Sequence, residues 1–223
     1  MRTIDAYQNG GVIQADTATL LSRVLWITTV GFLFTALGAY IAPDALPGIG
    51  FFAVVIVNFA LIFGIQYVSR RSPGIALALF YLFTVLMGVE VGPLIKMYLH
   101  MANGQTIVFQ AAGTTALGMA AMAIVAEFAR FDYVKVGRIA MFALIGLILI
   151  GVIGMFVHFV RPGVYAWLSL IIFSVLLLVD FMRLKDGGRG ATAVTLALSI
   201  YLDALNIFIA LLQIFGGGSR SRD

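Results

Sequence analysis

The stretch Ser199-Ile200-Tyr201-Leu202-Asp203-Ala204-Leu205-Asn206 decides how this chain is read. It lies within an otherwise apolar run, residues 191–215, long enough to cross a bilayer, and it places an acid near the middle of that run. Projected as a helix at about 100° per residue, Thr192, Thr195, Ser199, Asn206 and Gln213 fall within roughly a quarter turn of Asp203. Apart from Tyr201, the rest of the run is Leu, Ile, Ala, Val and Phe. Lipid offers a carboxyl group no partner, and an ionisable residue within a membrane segment is a functional hypothesis by default. The stripe must face protein or water.

The composition outside this run agrees. Of the 223 residues, 62% are hydrophobic and 11% charged, where a soluble domain carries about a quarter charged residues. Cys is absent, so neither a disulfide framework nor a thiolate metal site can form. The net charge of +4 fits basic cytoplasmic loops better than a nucleic-acid surface. The first twenty residues carry Asp5, Gln8, Asn9, Gln14 and Asp16 and no apolar core. That is not a cleavable signal peptide; it predicts a flexible cytoplasmic tail over 1–20. A single transmembrane domain over 21–216 and a short flexible outer tail over 217–223 complete the expected organisation.

Seven stretches are long and apolar enough to span: 22–41, 48–68, 74–94, 107–128, 136–158, 163–182 and 191–215. Pro43-Asp44-Ala45-Leu46-Pro47-Gly48 and Arg70-Arg71-Ser72-Pro73-Gly74 separate the first three. Ala102-Asn103-Gly104-Gln105, Arg130-Phe131-Asp132-Tyr133, Arg161-Pro162-Gly163 and a Gly-rich loop, 185–190, separate the others. The expected architecture is an all-α, seven-helix polytopic membrane protein. With the N-terminus cytoplasmic and the C-terminus outside, the inner segments hold Arg2, Arg23, Arg70, Arg71, Arg130, Lys135, Arg138, Arg183, Lys185 and Arg189. Only Lys96, Arg161, Arg220 and Arg222 then lie outside, as the positive-inside rule requires. In the fourth span Ala112, Ala116 and Ala120 recur at four-residue spacing among Gly113 and Gly118, which predicts a tightly packed interior helix.

Three acids are embedded away from the span ends: Glu90 in the third span, Asp180 toward the cytoplasmic end of the sixth, and Asp203 in the seventh. Asp44, Glu127, Asp132 and Asp186 read as solvated interface charges. Asp180 has two readings, a surface pair with Arg183 three residues on or a partner for Asp203 on the neighbouring antiparallel helix. Two carboxylates side by side cannot both ionise cheaply and titrate as one unit, so such a pair would act as a proton-controlled latch between the helices. Counted from the loop, Asp203 is deeper by roughly 10 Å at 1.5 Å per residue, so the two meet only if the last helix starts below the membrane surface. Glu90, in Met87-Gly88-Val89-Glu90-Val91-Gly92-Pro93, reads either as a cation ligand or pathway-lining acid, or as an acid reaching a headgroup or Lys96. His100 and His158 read as interface histidines, and Arg23 as a snorkelling cation. No nucleophile elbow, triad, metal-ligand set or phosphate loop occurs, so neither enzyme chemistry nor a cofactor is expected.

The terminal motif, running from Ser199 through Tyr201-Leu202-Asp203-Ala204-Leu205-Asn206 to Gly216, resembles the signature of the Bax inhibitor-1 (transmembrane Bax inhibitor motif) family, in particular its bacterial YccA-like branch. Gly88-Val89-Glu90-Val91-Gly92-Pro93-Leu94 and Leu33-Phe34-Thr35-Ala36-Leu37-Gly38-Ala39-Tyr40 are similar too, and the likeness runs over about 21–216. The resemblance implies a cell-membrane bundle with the last helix central. It also implies a pH-sensitive Ca²⁺ or cation leak controlled by an Asp pair, here Asp180 in Leu178-Val179-Asp180-Phe181 and Asp203. Thr195, Ser199, Asn206 and Gln213 would line the adjoining path with Glu90 as a further candidate, and Ca²⁺ would touch Asp180 and Asp203 only in transit. The branch implies an alternative class, a regulator that restrains a membrane-bound protease. Two departures stand out: Val179 and Phe181-Met182 replace polar neighbours of the sixth-span Asp, and the second span offers Asn58 and Gln66 where relatives carry an Arg.

Overall fold

The computed structural model describes residues 2–46, 48–157 and 162–219, with side chains described for 18–46, 48–154 and 163–217. Pro47, His158, Arg161, Arg220 and Arg222 therefore lie outside the described residues, as do the side chains of Arg2, Asp5, Gln8, Asn9, Gln14 and Asp16. Seven helices follow in order: α1 (Arg2–Ile41), α2 (Gly48–Val68), α3 (Pro73–Leu99), α4 (Gly104–Phe128), α5 (Tyr133–Val157), α6 (Pro162–Lys185) and α7 (Ala193–Ser219). A single 3-10 turn, Gly187–Gly190, precedes α7. Each helix contains a span of sufficient length and hydropathy, that of α1 covering Ala18–Ile41. The chain is a multi-pass membrane protein.

The helix ends move from their expected places because caps, and not hydropathy, stop a helix. The third helix runs five residues past the expected 94 and ends at Leu99, where the His100 amide folds back on Lys96 and Tyr98 and Asn103 turns left-handed at φ 59°. Helix α5 starts at Tyr133, three residues early, because the Asp132 carboxylate accepts from the Val134 and Lys135 amides. These bonds, that to Lys135 first, hold the Asp132 carboxyl below the usual range. At the N-terminus the helix begins at Arg2, where a flexible tail was expected. Extending an existing membrane helix is far cheaper than nucleating one, and Gly10-Gly11 is the weak point in the segment.

Helix α7 is the centre. Two-thirds of its span window (67%) is buried, against a third or less in every other span, and α6, α4, α1 and α3 pack around it. Tyr201 fixes one side. It is fully buried, ringed by Phe32, Phe80 and Phe83 at centroid distances of 5.0, 5.7 and 6.0 Å. Its hydroxyl meets Thr35 Oγ1 at 2.6 Å. The Thr35 proton is directed to the Gly31 or Thr84 carbonyl, each at 3.0 Å, so Tyr201 is the donor between the two.

Beside this anchor α1 and α3 touch backbone to backbone. A Cβ on Gly38 would collide with the Val85 carbonyl, and one on Gly88 with the Thr35 carbonyl. Small residues permit such an approach where packing drives association in lipid. The small-residue helix α4 behaves otherwise. Only 17% of its span window is buried, and a Cβ at Gly113 or Gly118 would meet nothing within 4 Å, so the interior position expected for it is corrected to a peripheral one. Its buried face is Ile107, Ala111, Thr115 and Ala126, while Ala112 and Ala116 border an apolar cleft beside α1. Small side chains allow close approach without supplying a neighbour.

The contrast is measurable. Gly88→Ala should destabilise the purified protein in detergent by about 1–3 kcal/mol through overpacking. Gly113→Ala should be neutral or stabilising by up to about 1 kcal/mol through helix propensity. Thermal unfolding compares the two.

Candidate functional site

On the face of α7 away from Tyr201 the packing opens. A cavity of about 660 Å³ lies between α7, α6 and α5, and Asp180, Arg183, Ser199, Asp203, Asn206 and Gln213 supply its polar lining. Leu144, Leu147, Phe173 and Leu176 are among the apolar walls. Asp203 is 7% exposed, and its Oδ2 is buried without a hydrogen-bond partner. Asp180 is half-buried and lines the same cavity, as does Ser199. An unpartnered buried carboxylate oxygen is costly unless a proton, cation or water fills the gap.

The two acids line one cavity across a tight loop. Gly187, Gly188 and Gly190 all have positive φ, and Arg189 joins them at φ 45°, so the chain reverses within four residues. Gly188 is buried beside Leu196, and its carbonyl accepts from Arg183 Nε at 3.4 Å. This bond ties the loop to the last turn of α6 before α7 begins. Thr192 and Thr195 then cap each other's amides, Thr192 N–H to Thr195 Oγ1 at 3.0 Å and Thr195 N–H to Thr192 Oγ1 at 3.3 Å.

That cap places Thr195 at the helix start and outside the cavity lining, unlike Ser199, Asn206 and Gln213. Ser199 Oγ donates to the Thr195 carbonyl at 3.3 Å and Asn206 Nδ2 to the Leu202 carbonyl at 2.8 Å, so the Asn206 carbonyl oxygen is not used by that bond. Arg183 makes no ion pair with Asp180 among the described residues; the loop carbonyl holds it instead. Glu90 is absent from the cavity lining, and it does not reach Lys96, which pairs with Asp44 at 3.2 Å. The remaining loop acids pair at the surface, Asp132 with Lys135, Glu127 with Lys185 and Asp186 with Arg189. His100 is exposed and bonds the Lys96 carbonyl through Nδ1 at 2.7 Å, and Arg23 is exposed. Among the described residues no three His, Cys, Asp or Glu gather as a metal site.

On the α6 side of the cavity the sequence pointed to Asp180, with Arg183 as a surface partner, and to neither Tyr165 nor Ser169. Tyr165, Ser169 and Arg183 all line it. The helical projection applied to α7 would have found them, since all three fall within roughly 60° of Asp180.

A family model described as inhibitor of apoptosis-promoting Bax1 matches residues 17–221. A Helicobacter pylori protein is 32% identical over 162 residues, covering 72% of this chain and 69% of its own. A Streptococcus pyogenes serotype M1 protein, named as an uncharacterized membrane protein, is 31% identical over 179 residues, 74% of each chain. A Neisseria meningitidis serogroup A protein is 26% identical over 205 residues, 88% of this chain and 89% of its own.

Because the chain lacks Cys among its 223 residues, single cysteines can report hydration. A thiol must ionise to react, so Asn206→Cys and Gln213→Cys should be modified by a water-soluble thiol reagent in membranes. Leu117→Cys, 74% exposed on the outer face of α4, should stay unmodified in lipid. Equal rates at the three positions would mean that the cavity is dry.

Proposed function

The chain belongs to the Bax inhibitor-1 family of membrane proteins, and we propose that it is a pH-sensitive cation leak of the cell membrane, oriented with its N-terminus in the cytoplasm. One observation carries this reading: two acids on adjacent helices share a cavity, and a buried oxygen of one of them is unpartnered. A single proton between Asp180 and Asp203 satisfies that oxygen and ties α6 to α7. Removing the proton leaves two like charges side by side in a weakly polarisable surround. Repulsion then spreads the helices, and the same two carboxylates become ligands for a passing cation such as Ca²⁺. Ser199, Asn206 and Gln213 continue the polar surface along α7 and give the ion oxygen contacts in place of water.

The sign follows from the charge states. The tie is intact while the pair holds its proton and is lost as pH rises, so the leak should increase with pH. Neither a nucleophile nor a cofactor enters the scheme. The alternative role, restraint of a membrane-bound protease, rests on the resemblance alone.

Purified protein in liposomes loaded with a Ca²⁺ dye should show influx that rises across the neutral range. Asp203→Asn should flatten the pH profile, because an amide neither loses a proton nor repels Asp180. A variant whose flux tracks pH as the wild type does would remove the Asp pair from the mechanism.

A further inference from the structure

Glu90 is the one span acid that the leak does not use. Its Oε2 accepts a 2.8 Å hydrogen bond from Asn58 Nδ2, tying α3 to α2. Asn58 Nδ2 also reaches Met87 Sδ at 3.4 Å. Asn58 is 4% exposed, and its Oδ1 has no hydrogen-bond partner. One residue before Glu90 a third oxygen is released. Pro93 lies inside α3 and has no N–H, so the Val89 carbonyl loses its helical donor.

No cation offsets Glu90. Among the described residues no Lys, Arg or His forms an ion pair with it. Lys96, the basic residue of the same helix, is held by Asp44 and the Ala42 carbonyl. On the side of α7, Tyr201 is the ionisable neighbour, and its hydroxyl is committed to Thr35. The Glu90 carboxylate, beside the Asn58 amide, lies in a membrane span without a counter-charge among the described residues. Freed backbone carbonyls and amide oxygens at a helix irregularity are the chemistry that takes up alkali cations in membranes. A divalent ion would want six to eight oxygens with several carboxylates among them, and none gather here.

We propose that Glu90 and Asn58 form a site for one Na⁺-like monovalent cation between α2 and α3, distinct from the cavity lined by Asp180 and Asp203. The ion neutralises the carboxylate and gives Asn58 Oδ1 its missing partner. Bound there, it holds α2 onto α3.

The test uses the full chain in detergent at fixed pH, with NaCl exchanged for choline chloride at constant ionic strength. Binding to the folded state alone raises the unfolding midpoint, by about 2–4 °C for each kcal/mol in a chain of this size. Wild type should show such a rise in Na⁺ over choline. Glu90→Gln and Asn58→Leu should abolish it, and Asp203→Asn should keep it. Equal midpoints for wild type in the two salts overturn the site, as does a rise that survives in Glu90→Gln. A midpoint that responds to pH but not to Na⁺ also overturns it, since the acid then takes up a proton only. Loss of the response in Asp203→Asn would move the ion to the cavity and overturn the separate site. If Glu90→Gln is too unstable to purify, Asn58→Leu carries the comparison, and a Na⁺ response that survives in it overturns the site. The leak reading is untouched by any of these results, because it is judged on the pH profile of flux.

Discussion

The burial of the Asp203 carboxyl within the thickness of the hydrocarbon constrains where α7 can stand. Water is absent there, so each polar group must find its partners within the protein, and a carboxylate at mid-span facing lipid costs about 2.5–3.5 kcal/mol even on the milder insertion scales. Helix α7 therefore takes the middle, with α6, α4, α1 and α3 around it. The other helices can leave large side chains such as Phe63, Phe109 and Phe142 in the lipid because hydrocarbon suits them as well as a core would. The centre of this bundle is thus set by polarity, in contrast to a soluble core.

The two faces of α7 do different work. Tyr201 and Asp203 are two residues apart and so point in nearly opposite directions, roughly 160° apart around the helix. On the Tyr201 side the packing is dry and aromatic, pinned through Thr35 to α1 and α3, and α1 and α3 are themselves locked backbone to backbone at Gly38 and Gly88. Towards Asp203 there is a cavity lined by hydroxyl, amide and carboxyl groups. A shift of α6 against α7 changes the cavity and leaves the Tyr201 anchor intact. One face of α7 is thus fixed by packing and the other is left open to a polar cavity.

Particular residues show where a sequence reading runs out. Ser199, Asn206 and Gln213 were legible as a stripe and do line one cavity, whereas Thr195 is consumed by the cap with Thr192. A periodicity argument places a side chain on a face; it does not show that a hydroxyl is already spent on a backbone amide about one turn before the cavity lining begins at Ser199. Helix α4 fails for a related reason. Its alanines and glycines announce that a neighbour could come close, and no local feature says whether one does. Glu90 likewise read as a pathway acid or as one reaching a headgroup or Lys96, and only the packing of α2 against α3 gives it Asn58.

By itself the sequence determined the seven spans, the all-helical class and the polar stripe of the last helix. Those follow from the length of the bilayer and from a 3.6-residue period that acts locally. Tertiary structure decided what the stripe meets. Asp180 and Asp203 line one cavity across a loop whose positive φ at Gly187, Gly188, Arg189 and Gly190 reverses the chain and whose Gly188 carbonyl bonds Arg183, so two acids at different depths in the sequence share one cavity. Neighbourhood between helices is a non-local property of packing, so it is settled only when all seven are assembled.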